Sequence, residues 1–123
     1  MKQEAKKKNL WKETICDLAE NGKTWDDVIG VCCGDFQITK AQFEKLANIE
    51  YDNGYGRAEV AQDLMIVGTD FWLERHEYDG AEWWEYKQMP KLAEKPLVSV
   101  DRIICDCGHY CTNTLKSLNE DKE

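Results

Sequence analysis

Asp79-Gly80, set between two runs of alternating aromatic and polar residues, constrains the fold of this chain more than any other feature. Phe71 to Tyr78 and Ala81 to Met89 flank it. Asp-Gly favours a two-residue turn with positive φ at both positions, whose twist matches that of two antiparallel strands. With those two residues as the loop, Tyr78 stands opposite Ala81, and the side-chain period of two fixes every other pair. One face then carries Phe71, Leu73, Arg75 and Glu77 against Glu82, Trp84, Tyr86 and Gln88, and suits a core. The other carries Trp72, Glu74, His76 and Tyr78 against Ala81, Trp83, Glu85 and Lys87. Glu74 faces Glu85 there, a repulsive pair on a surface with no partner. Large aromatics on both faces leave two readings: a further element covers the second face, or part of it is an exposed, acid-rimmed aromatic patch.

Upstream the pattern is helical. Leu10, Trp11, Thr14, Ile15, Leu18 and Ala19 recur at three- and four-residue spacing, with Asn9 as N-cap and Gly22 to stop the helix. Thr24 and Asp27 resemble a capping box that opens a short turn holding Trp25, Val28 and Ile29, which Val31 to Asp35 then interrupts. Thr39 and Gln42 predict a second helix over Lys40 to Ala47, with Phe43, Leu46 and Ala47 on one stripe. Tyr51 to Gly56 concentrates turn formers, Asp63 to Thr69 reads as a buried strand, and Leu97 to Ile104 as a further strand. A short helix can follow Cys111.

These elements predict an α+β fold, with N-terminal helices packed on a small antiparallel sheet and a Cys-rich, zinc-binding loop near the C-terminus. At 123 residues one core is the expectation. Residues 1–8 form a flexible basic N-terminus, 9–115 a single domain and 116–123 a polar tail. No run of apolar residues approaches a membrane span, so the chain reads as soluble and unexported, placed in the cytoplasm.

Six cysteines without a leader favour reduced thiols and metal ligation over a disulfide framework. Cys105, Cys107, His109 and Cys111 fall within one short segment, and Gly108 lets a tight loop present several of them together. Zinc takes four such ligands at tetrahedral corners, so a fourth comes from Cys32-Cys33-Gly34. The first choice is Cys33, Cys105, Cys107 and Cys111, with Cys32 as an alternative to Cys33 and His109 to one thiol. Four sulfur ligands leave no open position, which makes the zinc structural. Cys16 falls beside the apolar stripe of the first helix and reads as a core residue.

A formal net charge of −8 argues against a phosphate-neutralising basic face, so direct nucleic-acid binding is not expected. Two histidines, with no phosphate-cradling loop, nucleophile elbow or His-Glu metalloprotease motif, argue against an enzyme. Acidic side chains gather on the hairpin, where Arg75 is the only Lys or Arg between Asp70 and Glu85. The candidate partner-binding residues are Trp72, Glu74, Glu77, Asp79, Glu82, Trp83 and Glu85, carboxylates interleaved with indoles for a basic protein groove. The plain alternative is a solvated outer face, and an exposed aromatic face could also be covered by a second copy of the chain.

The Trp-Lys-Glu at Trp11 to Glu13, Asp-Asn-Gly-Tyr-Gly at Asp52 to Gly56 and Tyr-Asp-Gly-Ala-Glu-Trp at Tyr78 to Trp83 resemble motifs of a group of small proteins common in phages and mobile elements of Gram-positive gut bacteria. The resemblance spans about residues 10 to 90, leaves the cysteine-rich end outside it, and speaks to fold more than activity. Small, acidic and phage-like, the chain resembles an anti-CRISPR protein. That resemblance implies an inhibitor of a type II CRISPR effector nuclease, whose basic channels hold nucleic acid, acting by blocking DNA loading or cleavage. The alternative is a zinc-stabilised regulatory or adaptor protein of a mobile element that binds another host factor.

Overall fold

Asn9 starts the first helix as its sequence predicts. In the computed structural model, which describes residues 7–52, 57–105 and 114–120, its side-chain oxygen accepts the N–H of Lys12 at 2.9 Å. The helix, α1, runs Leu10–Glu20 and is closed by Gly22 at φ 74°, a conformation that favours glycine. The chain divides into two compact units, Met1–Met89 and Pro90–Glu123.

In the first unit, strand β1 (Lys7–Asn9) leads into α1, and Trp25–Asp27 forms a single 3-10 turn. That turn is closed where the Thr24 N–H donates to Asp27 at 2.8 Å. Strand β2 (Val28–Cys32), strand β3 (Gln37–Ile38), helix α2 (Lys40–Ala47) and strand β4 (Glu50–Asp52) follow. Then come β5 (Met65–Gly68), β6 (Phe71–Tyr78) and β7 (Ala81–Gln88). The larger sheet is five-stranded and antiparallel throughout, in the order β3-β2-β5-β6-β7, and β1 pairs with β4 in a separate ribbon.

The hairpin has the register read from Asp79-Gly80, from Tyr78 opposite Ala81 to Phe71 opposite Gln88, with φ 54° and 88° at the two turn residues. One face of the sheet carries the core: Val31, Ile66, Leu73 and Trp84 lie against Leu10 and Leu18 of α1 and Phe43 and Ala47 of α2. Burying each of these large apolar side chains is worth about 1.5–3 kcal/mol. α2 is docked by an aromatic cluster, with Trp25 edge-on to Trp11 at 4.9 Å and stacked on Phe43 at 5.7 Å.

Four expectations give way. The helices do not form an N-terminal block, because β2 and β3 lie between α1 and α2. Val28 and Ile29, read as part of the short turn, and Val31 and Cys32, read as the start of its interruption, belong together to β2: Val28 and Val31 are buried and ladder with Gly68 and Ile66. The pairing of β2 with β5 shifts register between Val28 and Gly30, and the Cys33 N–H donates to Phe36 O at 2.9 Å to close the β2–β3 turn. Leu46 is 60% exposed, since the stripe of α2 runs through Phe43 and Ala47, one turn apart, and leaves Leu46 to its side. Tyr51 and Asp52, read as part of a turn, belong to β4, and residues 53–56 lie outside the described residues.

In the second unit, Leu97 to Ile104 forms no strand, and Leu97, Val98, Ile103 and Ile104 are exposed. Backbone donors in this stretch are satisfied by a side chain. Asn119 accepts the N–H groups of Asp101 and Arg102 at 3.0 Å each and donates to Arg102 O at 3.0 Å. Helix α3, Leu115–Leu118, follows Thr114, whose hydroxyl caps Ser117 N. Among the described residues no helix is long and apolar enough to cross a membrane.

Candidate functional site

Period-two alternation decides which hairpin residues can meet a partner. The face of β6 and β7 away from the helices carries Trp72, Glu74, His76, Trp83, Glu85 and Lys87, all half-buried. Strand pairing extends it: Met65 lies opposite Glu74, Val67 opposite Trp72, and Cys32 opposite Met65. Buried residues of this sheet such as Val31, Ile66 and Leu73 alternate with these and belong to the helix side. The outer face is therefore the side of the sheet away from α1 and α2.

The repulsion expected between Glu74 and Glu85 is relieved by neighbours on the same face. His76 Nε2 lies 2.7 Å from Glu74 and 3.7 Å from Glu85, bridging the two strands, and Lys87 Nζ lies 3.5 Å from Glu85. Each carboxylate also accepts an indole N–H two residues along its own strand. Trp72 donates to Glu74 at 2.7 Å and Trp83 to Glu85 at 3.2 Å. The Trp72 indole, followed by His76, holds the Glu74 carboxyl below the usual carboxylate range, and the Trp83 indole does the same for Glu85. Both indoles are thus tethered through their N–H groups to carboxylates that stay charged.

Glu77 and Asp79 sit exposed at the hairpin tip. Glu82 does not join them. It is 2% exposed on the core face, where its carboxylate receives Arg75 at 2.9 Å and the backbone N–H groups of Glu59 and Val60 at 2.6 and 3.2 Å. Arg75 also reaches Glu13 of α1 at 3.3 Å and donates to the Tyr51 hydroxyl at 3.2 Å, and its guanidinium lies 4.8 Å from the Trp84 ring centroid. Tyr51 in turn donates to Glu13. Burial works against the Arg75 charge, but Tyr51, Glu82 and Glu13 outweigh it and hold the guanidinium more firmly protonated. Burial, then the bond to Glu13, pushes the Tyr51 phenol up. This network ties α1, β4, β6 and β7 together from inside.

Of the candidate contact residues, the structure therefore brings Trp72, Glu74, Trp83 and Glu85 onto one face, sets Asp79 in the turn, and puts Glu77 and Glu82 on the opposite side, with Glu77 exposed near the tip and Glu82 buried. Sequence reasoning placed His76 and Lys87 on that face without counting them as contact residues, and did not name Met65, Val67 or Cys32. The hairpin register already held the signal for His76 and Lys87, whereas the other three needed the strand order.

Of the candidate metal ligands, Cys33 stands in the β2–β3 turn, where its sulfur accepts the Asp35 N–H at 3.4 Å, and Cys32 is half-buried beside it. Cys105 is half-buried in the second unit. Cys107, His109 and Cys111 lie outside the described residues. Among the described residues, no group of three or more His, Cys, Asp or Glu is placed to hold a metal ion. Cys16, expected in the core, is exposed on the flank of α1, because the buried stripe runs through Leu10, Thr14 and Leu18. No protein-family model, curated protein or solved structure matches the chain.

Proposed function

We propose that this protein acts by stoichiometric binding rather than catalysis, presenting the outer face of its five-stranded sheet to a basic groove of a partner protein in the cytoplasm of a bacterial host. The observation that carries the reading is the pair of indoles, Trp72 and Trp83, held on the face away from the helices by hydrogen bonds to Glu74 and Glu85. Aromatic rings fixed before contact lose little rotamer freedom on binding, which is how anchor residues gain affinity. Carboxylates beside them, on a chain of net charge −8, attract a cationic surface and speed encounter. A type II CRISPR effector nuclease, whose nucleic-acid channel is basic, is the first candidate, on the sequence resemblance. A zinc ion on Cys33, Cys105, Cys107 and Cys111 would serve the fold and take no part in this contact.

Guided cleavage of a target DNA by a purified type II effector, with this protein added before the DNA, tests the reading. Inhibition should saturate near one equivalent. Trp72→Ala with Trp83→Ala should abolish it, and Glu74→Gln with Glu85→Gln should weaken it and flatten its salt dependence. Full cleavage in the presence of folded protein removes this partner; inhibition unchanged by the four substitutions removes this surface.

A further inference from the structure

We draw no further inference here: the strongest candidate, the point on the outer face of β6 and β7 where Glu74 and Glu85 each bring a carboxylate oxygen towards His76 Nε2, belongs to the surface already proposed as the contact site and is taken up by His76 itself.

Discussion

Truncating Glu82 to alanine should come close to unfolding the first unit. Its carboxylate is the nearest anion to Arg75, at 2.9 Å, and both side chains are at most 3% exposed. Removing one partner of a buried pair typically costs about 3–5 kcal/mol, because the other charge is left without compensation. Two backbone donors, Glu59 N and Val60 N, would lose their acceptor as well, at about 1 kcal/mol each where water cannot replace it. Glu13 and Tyr51 remain around Arg75 and recover part of the loss. The expected net cost is about 4 kcal/mol, against a total stability of about 5–15 kcal/mol for a domain of ordinary size. Urea unfolding followed by tryptophan fluorescence measures it, and all five tryptophans lie within the first 89 residues, so the signal belongs to that unit alone. Arg75→Met with Glu82→Leu should be less damaging than Glu82→Ala by itself, because it removes the stranded charge together with its partner. A cost below about 1 kcal/mol for Glu82→Ala, or a double variant as unstable as the sum of its singles, would refute the account of Glu82 as an internal tie.

Other expectations concern surfaces and packing. Asp17→Asn should stabilise the first unit near neutral pH. Burial first, then Glu13 and Glu20, raises the Asp17 carboxyl from 3.8 to about 6, so the folded form holds its proton more tightly and stability falls as pH rises through that interval. The side chain is only partly buried, so the gain at pH 7 should be about 1 kcal/mol, vanishing below about pH 4; urea midpoints at the two pH values measure it, and an equal gain at both would contradict the assignment. Gly68→Ala should cost about 2–3 kcal/mol, since a Cβ there would overlap the buried Phe71 ring, whereas Gly30→Ala meets only the end of Gln37 at 3.9 Å and should be mild; thermal melts of the two compare them directly. Chelator should lower the melting temperature sharply if the cysteine cluster holds zinc, and an unchanged melt removes the metal.

Local signals were enough for the elements that form by local rules. Asn9 and Gly22 bound α1, Thr39 starts α2, and Asp79-Gly80 fixes the hairpin register to the residue, because caps and two-residue turns satisfy their backbone groups within a few positions. That register also separated the two faces of β6 and β7, and with them the indoles and carboxylates of the candidate surface. The local rules failed where a distant partner decides the outcome. Val28 to Cys32 carries too short an apolar pattern to reveal a strand, and becomes one only by pairing with β5. Leu97 to Ile104 has strand-forming residues but, among the described residues of its unit, no edge to pair with, so Asn119 takes its donors instead. Glu82 looked like one more carboxylate of an acidic ribbon, and Glu13 and Tyr51 looked unremarkable. Only the tertiary structure brings three segments far apart in the chain around Arg75. Alternation says on which side of a sheet a charge lies, but whether it meets solvent or a buried guanidinium depends on what packs there.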